Sequence, residues 1–222
     1  MTIDRTTFES IYAGQPRWEI GRPQKAFIDV ADQITGSILD SGCGTGENAF
    51  FFAGRGRTVT GIDFLAEPIT MAKRKAAERS LTVTFLVMDA LTLTDWTERF
   101  DNVIDSGLFH VFGDEDRRRY VDGLATVLKP NGRFFFLCFS DEEPGTQGPR
   151  RVSRKEIGRA EERLLRPADF PARPAGVNGL EGGAVNGLGF DFDSPGLRVV
   201  RPRGVKLIWT RPFPHGAGRF SG

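Results

Sequence analysis

The stretch ILDSGCGTGENAFFFA, residues 38–53, leads from a short apolar run through three alternating glycines into a run of helix-like composition. The glycines are Gly42, Gly44 and Gly46. Glycine lets the backbone turn sharply and approach a ligand closely, so glycine-rich turns between a strand and a helix hold nucleotides. This stretch therefore predicts a nucleotide-binding strand–turn–helix unit, and the open question is which nucleotide it binds.

Short apolar runs alternate with helical runs over the first 140 residues. The predicted strands are Ser37–Asp40, Thr58–Asp63, Thr84–Val87, Val103–Ser106 and Arg133–Phe139. The predicted helices are Glu47–Ala53, Glu67–Arg79 and Asp116–Leu128, and KPNG at 129–132 predicts a helix stop and a turn. This alternation predicts an α/β fold, a doubly wound and mostly parallel sheet with helices on both faces. Ligands bind such sheets beyond the carboxyl ends of the strands, where the strand order switches direction.

The overall composition narrows the class of protein. The 222 residues carry a formal charge of +1, which gives no reason to expect nucleic acid or an acidic membrane as a partner. No apolar run approaches the roughly 18 residues of a membrane span, and the start MTIDRTTFES lacks the pattern of a secretory signal. Cys43 lies in the glycine turn and Cys138 in a hydrophobic run, so we expect free thiols and a cytoplasmic protein. We expect a monomer or a weak dimer.

Asp40 lies two residues before the first glycine and bears on the choice of nucleotide. A dinucleotide would place its pyrophosphate over the turn, at the start of the following helix, where a carboxylate beneath it is unfavourable. The glycines also depart from the G-x-G-x-x-G spacing of dinucleotide sites. S-adenosylmethionine has an ammonium and a sulfonium but no phosphate, so a carboxylate beside it is favourable. Asp40 therefore favours S-adenosylmethionine as the cofactor.

Two further acids end the next two predicted strands. Asp63 follows Asp40 by 23 residues, where this kind of fold places an acid that accepts hydrogen bonds from both ribose hydroxyls. A solvated acid at a strand end is the alternative for Asp63. Asp89, in LVMDAL, follows the third strand and is predicted to accept a hydrogen bond from the adenine amino group, with a helix or turn cap as the alternative.

Five segments together resemble the successive motifs of the class I S-adenosylmethionine-dependent methyltransferases. They are ILDSGCGTGENAFFFA, VTGIDF, LVMDAL, FDNVIDSGLFHVF and VLKPNGRFFFLCF, and the resemblance covers about residues 15–156. The segment WEIGRPQKAF is similar to the thiopurine methyltransferase-like branch, in which an N-terminal tryptophan and its neighbours lie over the cofactor. The resemblance implies the Rossmann-like methyltransferase fold and transfer of a methyl group to S, O or N of a small molecule.

The resemblance also implies a role for individual residues in binding the cofactor. Asp40, Gly42 and Gly44 are expected near its methionine part, Asp63 at the ribose, and Asp89–Ala90 at the adenine. Trp18 is expected in a lid. For Arg22, a bidentate contact with the methionine carboxylate competes with a plain exposed position. The remaining predicted cofactor-binding residues are Ser41, Phe64 and Ser106.

His110 is the candidate catalytic residue, because it follows the fourth strand on the expected substrate side. An imidazole there could accept a proton near neutral pH, whereas a packed, hydrogen-bonding histidine is the alternative. No His, Cys or Asp cluster has metal-ligand spacing, so we expect no metal. An RNA- or protein-modifying enzyme of the same fold, and a cofactor-binding protein without turnover, are the alternative functions. The charge of −6 over residues 1–149 argues against nucleic acid.

The composition changes near residue 150. From there to the end the chain holds 14 basic and 7 acidic residues, with 12 Gly and 7 Pro. VSRKEI begins a helix with Ser153 and Glu156 at capping-box spacing, and loops are predicted through Pro167–Gly189. The predicted units are a lid segment (1–36), a methyltransferase domain (37–157) and an atypical tail (158–222). The tail has three explanations: a frameshift, a linker followed by an LRVV…VKLIWT hairpin, or a basic docking arm.

Overall fold

A computed structural model describes residues 5–12, 14, 16, 18–141, 149–164, 198–199 and 208–209. Its centre is a five-stranded, all-parallel sheet in the order β3-β2-β1-β4-β5. The strands are β1 (Ser37–Ser41), β2 (Thr58–Asp63), β3 (Thr84–Val87), β4 (Phe100–Ser106) and β5 (Leu128–Leu137). The predicted doubly wound parallel sheet is confirmed. The strand order switches direction at β1, which lies between β2 and β4.

Helices cover both faces of this sheet. They are α1 (Arg5–Tyr12), α2 (Lys25–Asp29), α3 (Glu47–Ala53), α4 (Ala66–Glu78), α5 (Asp114–Val127) and α6 (Arg154–Leu164). The consecutive phenylalanines of β5 show the two faces directly. Phe135 packs with the core residues of α2, α3 and α4, whereas Phe134 and Phe136 pack with those of α5 and α6. Successive side chains of a strand point to opposite faces, so a strand buried on both faces is apolar along its length.

Several local features differ from the sequence prediction. The helices α1 and α2 and the short 3-10 helix Ala90–Asp95 were not predicted. The predicted turn at 129–132 is wrong, because β5 begins at Leu128, although the register of β5 against β4 shifts there. Asn131 in this stretch has φ 66°, a left-handed conformation that asparagine tolerates. The stretch is therefore an irregular strand entry and not a free turn.

The capping box predicted before α6 is confirmed. The Ser153 N–H donates to Glu156 Oε2 at 2.8 Å, and the Glu156 N–H donates to Ser153 Oγ at 3.3 Å. The two residues thus satisfy backbone donors at the helix start reciprocally. Arg163, in the last turn of α6, forms an ion pair with Asp122 of α5. The helix α6 extends past residue 157, where the sequence predicted the end of the domain.

Beyond α6, the part of the tail that the structure describes is one pair of short strands. The strands β6 (Arg198–Val199) and β7 (Ile208–Trp209) pair antiparallel, as expected for the LRVV…VKLIWT hairpin. The stretch Pro167–Gly189, predicted to form loops, lies outside the described residues. Over the described part of the chain, no helix has the length and apolar character needed to cross a membrane. Cys43 and Cys138 are both buried free thiols.

Two helical glycines allow a matched test of the packing of α5. A Cβ added at Gly123 of α5 would lie 2.7 Å from Leu93 Cβ, whereas nothing lies within 4 Å of a Cβ at Gly158 of α6. Alanine stabilises the interior of a helix more than glycine does. Gly158→Ala should therefore raise the free energy of unfolding by about 0.5–1 kcal/mol. Gly123→Ala should lower it by about 1–2 kcal/mol through overpacking. Chemical denaturation of both variants measures the two changes, and stabilisation by Gly123→Ala would contradict this packing.

Candidate cofactor-binding site

The glycine turn between β1 and α3 is the most constrained backbone of the site. Gly42 has φ 70° and Gly44 has φ 53°, values at which side chains are strained. A Cβ on Gly42 would lie 3.0 Å from Leu108 Cβ, so only glycine fits between this turn and the loop after β4. The Cys43 N–H donates to the Ile62 carbonyl at 2.8 Å, which fastens the turn to β2. The turn thus lies at the switch in strand order, as predicted.

Asp40 is buried directly beneath this turn without a hydrogen-bond partner. Its side chain is 1% exposed, and neither carboxyl oxygen bonds to a described residue. Burial, followed by the charge of Asp105, raises the pKa of Asp40 to about 8, and the nearby Ala49 N–H only partly offsets this. The hydroxyl oxygen of the adjacent Ser41 is also buried without a partner. Unpartnered buried carboxyl oxygens are costly, so this site suits a cationic group that approaches Asp40.

Asp63 connects the glycine turn to the loop after β2. Its Oδ2 accepts the Gly44 N–H at 3.1 Å, and its Oδ1 accepts the Leu65 N–H at 3.0 Å. Burial raises its pKa, and these backbone donors act in the opposite direction. Asp63 is 7% exposed, so the alternative of a solvated strand-end acid is wrong. It also follows that Asp63 supports the fold of the turn as well as lying where a ribose is predicted.

The third predicted acid, Asp89, has a local structural role. Its Oδ1 accepts the Leu91 N–H at 2.9 Å and thereby caps the 3-10 helix Ala90–Asp95. Asp89 is exposed and Ala90 is buried. The Met88 N–H donates to the Asp63 carbonyl at 2.9 Å, which places this loop beside the end of β2. The turn cap was the sequence alternative for Asp89, and its contact with adenine stays a prediction.

The N-terminal segment packs onto this edge through aromatic contacts. Trp18 donates its Nε1–H to the Tyr12 hydroxyl at 3.2 Å and meets the Phe8 ring edge-on at 6.1 Å. Phe8 in turn meets the Phe64 ring edge-on at 5.5 Å. Trp18 is 41% exposed, so part of its ring is open to solvent beside Phe8. This arrangement is compatible with the predicted lid.

Glu19 is a site residue that the sequence reasoning missed. Its carboxylate accepts the Thr45 N–H at 3.3 Å and the Thr45 hydroxyl. An added Cβ on Gly44 would lie 3.0 Å from Glu19 Oε1, so this carboxylate sits against the glycine turn. Lys75 of α4 lies 3.9 Å from Glu19 and donates to Thr45 Oγ1 at 2.6 Å. Arg22, the predicted carboxylate ligand, is exposed and has no hydrogen-bond or ion-pair partner among the described residues.

Asp105 near the end of β4 was also missed. Its carboxylate accepts the N–H groups of Leu108 at 2.7 Å and Phe109 at 3.0 Å, and the Tyr120 hydroxyl at 3.0 Å. Burial raises the pKa of Asp105 to about 7. Asp105 therefore shapes the loop that begins after Ser106, the partly buried last residue of β4. An acid at the end of an apolar strand, two residues before a glycine, is the pattern in the sequence that could have indicated Asp105.

His110 lies in this same loop and is 9% exposed. Its Nδ1 accepts the Phe139 N–H at 3.1 Å, and its ring stacks on the Phe139 ring at 5.2 Å. Burial, followed by the charges of Arg117 and Arg151, lowers its pKa to about 4. This environment matches the sequence alternative of a packed, hydrogen-bonding histidine, and the role of a base stays a prediction. Among the described residues no group of three His, Cys, Asp or Glu side chains could hold a metal ion.

Comparison with known proteins identifies the family. A protein-family model described as a methyltransferase domain matches residues 38–132. The chain is 37% identical over 163 residues to the 2-heptyl-1-hydroxyquinolin-4(1H)-one methyltransferase of Mycobacteroides abscessus, an alignment that covers 68% of this chain and 72% of that protein. The chain therefore belongs to the class I S-adenosylmethionine-dependent methyltransferases. The predictions of this family, of an enzyme and of S-adenosylmethionine as cofactor are confirmed.

Further relatives extend this comparison. The probable thiol methyltransferase 2 of Arabidopsis thaliana is 27% identical over 181 residues, which are 79% of this chain and 78% of that protein. A solved structure described as "Conversion of a Disulfide Bond into a Thioacetal Group during Echinomycin Biosynthesis" is 36% identical, with a TM-score of 0.64, over 71% of this chain and 77% of that chain. A Burkholderia thailandensis 1,6-didemethyltoxoflavin-N1-methyltransferase shares the fold, with a TM-score of 0.60 at 24% identity over 72% of this chain and 75% of that chain.

The pKa of Asp40 makes cofactor binding depend on pH. Because the pKa of about 8 lies above the usual 3.8, Asp40 is largely protonated at pH 7 in the free protein. A cationic ligand favours the carboxylate, so binding of S-adenosylmethionine should release about one proton per site and tighten as pH rises toward 8. By the same linkage, the free protein should lose stability as pH rises from about 4 to 8.

Calorimetry at pH 7.0 in phosphate and in Tris measures this proton release, since the two buffers differ in ionisation enthalpy. The amino group of S-adenosylmethionine, if its pKa is ordinary, is already mostly protonated at pH 7.0. It therefore takes up few protons when the cofactor binds. Asp40→Asn is the control and should abolish the release while weakening binding. An observed heat that is the same in both buffers for the parent protein would contradict this assignment.

Asp63→Ala should affect both binding and stability. It leaves the N–H groups of Gly44 and Leu65 without an acceptor, so the free energy of unfolding should fall by about 1–3 kcal/mol. Loss of the ribose acceptor should weaken cofactor binding about 30- to 1000-fold. Asp101→Ala is the matched control, because Asp101 accepts the Ser37 N–H at 2.8 Å at the opposite end of β4. It should lower stability without changing affinity, and equal affinity losses in both variants would contradict the ribose role.

Proposed function

We propose that this enzyme methylates a sulfur, an oxygen or a nitrogen of a small molecule. The observation that carries the proposal is the buried carboxyl of Asp40, which lies beneath a glycine turn at the switch in strand order and has no hydrogen-bond partner among the described residues. This site offers negative charge to a cation, and the N–H groups of Gly44 and Thr45, which could face a pyrophosphate, donate instead to Asp63 and Glu19. Glu19 and Asp63 lie against the same turn, since they accept N–H groups of Thr45 and Gly44.

S-adenosylmethionine supplies an electrophilic methyl carbon on a sulfonium, and the acceptor displaces it directly. The protein therefore contributes mainly by alignment, which can supply several kcal/mol of the barrier. In our proposal Asp40 holds the cationic methionine part and Asp63 holds the ribose. The loop after β4, which begins at Ser106 and contacts Gly42 through Leu108, forms the acceptor side of the site.

The relatives support an acceptor of this kind. Their names give a hydroxyquinolone for the Mycobacteroides abscessus protein and a thiol for the Arabidopsis thaliana protein. Aromatic hydroxyl and N-hydroxyl groups and thiols share an acidic proton and a polarisable or anionic nucleophile after its loss. Such acceptors need little help from a protein base, which fits the low pKa of His110. The charge of −6 over residues 1–149 supports a small molecule over nucleic acid.

A panel assay tests this proposal. The full chain is incubated with S-adenosylmethionine and a set of aryl thiols, phenols, N-hydroxy heterocycles and amines, and the methylated product and S-adenosylhomocysteine are measured by mass spectrometry. We expect turnover of at least one thiol or hydroxyl compound. Asp40→Asn should reduce turnover with the same acceptor. Asp101→Asn, near the amino-terminal end of β4 and far from the glycine turn, should not.

Two other outcomes would replace the proposal. Cofactor binding without turnover of any panel member or of RNA would favour a binding protein without activity. Methylation of added RNA, with none of the small molecules modified, would favour the nucleic-acid alternative. Either result would leave the family assignment intact and change only the acceptor.

A further inference from the structure

The imidazole of His110 is held in one orientation by the segment after β5. The Phe139 N–H donates to Nδ1 at 3.1 Å, and the His110 and Phe139 rings stack at 5.2 Å with an angle of 7° between their planes. A ring nitrogen that accepts a hydrogen bond carries no proton. In the neutral ring the proton is therefore on Nε2, and Nε2 can only donate a hydrogen bond.

The Nε2 edge of the ring faces the end of β4. An added Cβ on Gly107 would lie 3.3 Å from Nε2 and 3.5 Å from Cε1. Gly107 has φ 99° and follows Ser106, the last residue of β4. In the same loop, Leu108 lies against Gly42 of the glycine turn. The donor thus lies at the edge of the sheet where Asp40 and Asp63 lie, on the side of the loop after β4.

Arg117 of α5 fixes the loop that carries His110. Its Nε donates to the Phe109 carbonyl and its Nη2 to the Phe112 carbonyl, both at 3.2 Å. The guanidinium also lies over the Phe109 ring at 4.6 Å and forms an ion pair with Glu156 at 3.0 Å. The loop on both sides of His110 is therefore anchored by a buried side chain, so the donor is preorganised.

The charges that act on His110 are positive. Arg117 acts from α5, and Arg151 acts from the segment before α6, where its guanidinium lies 5.0 Å over the Phe139 ring. Together with burial they hold the pKa of His110 near 4, so the ring is neutral at the pH of an ordinary assay. The acidic residues Asp40, Asp63 and Glu19 lie on the cofactor side. Two acids also lie on the acceptor side, but Asp105 is engaged by the Leu108 and Phe109 N–H groups, and Glu156 pairs with Arg117 and Arg150. The positive charges that act on His110 therefore favour an anion on the acceptor side, and the acids at the glycine turn favour a cation on the cofactor side.

We propose that His110 donates its Nε2–H to the methyl acceptor, and that the acceptor is bound as an anion, a thiolate or an acidic oxyanion. This inference rests on the proposed function and specifies its acceptor. The acceptor loses its proton to water before it binds, so no group of the protein takes a proton during transfer. A lone pair of the anion forms the bond to the methyl carbon while the bond from that carbon to sulfur breaks, and its electron pair stays on the sulfur.

A role as general base would require the opposite tautomer. Nε2 would have to be free of its proton, which would put the proton on Nδ1, opposite the Phe139 N–H. Two donors would then face each other at 3.1 Å. The hydrogen bond from Phe139 therefore assigns Nε2 as a donor and argues against general-base catalysis by this residue.

Two substitutions separate the donor role from a structural role. His110→Gln places an amide N–H near the position of Nε2 but removes the acceptor of the Phe139 N–H. His110→Asn places an amide oxygen near the position of Nδ1 but removes the Nε2–H donor. With an acidic aryl thiol as acceptor, we expect His110→Gln to retain kcat/KM within about 5-fold and His110→Asn to lose about 10- to 100-fold. Rescue by Asn and not by Gln would show a structural role and overturn the proposal.

The pH profile and the acceptor series add a second test. In a series of aryl thiols of graded acidity, kcat/KM of the parent should rise with pH and level off near the pKa of each thiol, since the anion is the species that binds. S-adenosylmethionine is kept saturating at each pH, so that the titration of Asp40 does not enter the profile. A plateau set by one protein group for every acceptor would then show a base and contradict the proposal.

NMR of the 15N-labelled full chain measures the tautomer without any acceptor. The chain has only two histidines, so the spectrum of His110→Gln assigns the signals of His110. We expect a neutral ring with the proton on Nε2 from pH 5.5 to 9. A proton on Nδ1, or titration of the ring near pH 6.5, would overturn the assignment. If the parent methylated no acceptor, the proposed function would fail, while this measurement would still decide the state of Nε2.

Discussion

The site depends on one buried carboxyl, Asp40, which lies beneath the glycine turn and whose two oxygens have no hydrogen-bond partner in the part of the chain that the structure describes. A carboxylate in that position is unfavourable in the protein alone, as its raised pKa shows. A ligand that brings positive charge removes the penalty, and one that brings phosphate increases it. The glycines permit close approach, but the carboxyl beneath them determines the sign of the charge that can approach. We infer that in this way a turn that resembles those of phosphate-binding proteins favours a cationic nucleoside.

The parallel sheet brings the other parts of the site to this carboxyl. Because the strands β1, β2 and β4 all end at one edge, Asp63 and the loop after Ser106 lie on either side of the glycine turn. The N-terminal segment adds a third side through Glu19, which accepts hydrogen bonds from Thr45. The acids Asp40, Asp63 and Glu19 therefore lie around the glycine turn, with Lys75 beside Glu19. Arg117 and Arg151 instead act on His110 in the loop after β4. In our proposal, methyl transfer from a sulfonium to an anion joins opposite charges, and the acids near the glycine turn and the cations near His110 suit that reaction.

The sequence predicted the features that local patterns determine. Apolar runs located the five strands, the spacing of acids and glycines located Asp40 and Asp63, and a four-residue pattern located the capping box at Ser153. Features that depend on distant contacts were missed. Glu19 bonds to Thr45 across 26 residues, and no local pattern shows this. The helices α1 and α2 are short, so packing stabilises them more than their own sequence does. The tautomer of His110 depends on the Phe139 N–H, which is 29 residues away.

We infer that Asp40, beneath the glycine turn, favours S-adenosylmethionine over a dinucleotide. Isothermal titration of the full chain with S-adenosylmethionine, S-adenosylhomocysteine and NAD at one pH and salt concentration tests it most directly. We expect saturable binding of the two S-adenosyl compounds, because both carry an ammonium that the Asp40 carboxylate favours, and no measurable heat with NAD. Tighter binding of NAD than of either S-adenosyl compound would contradict it.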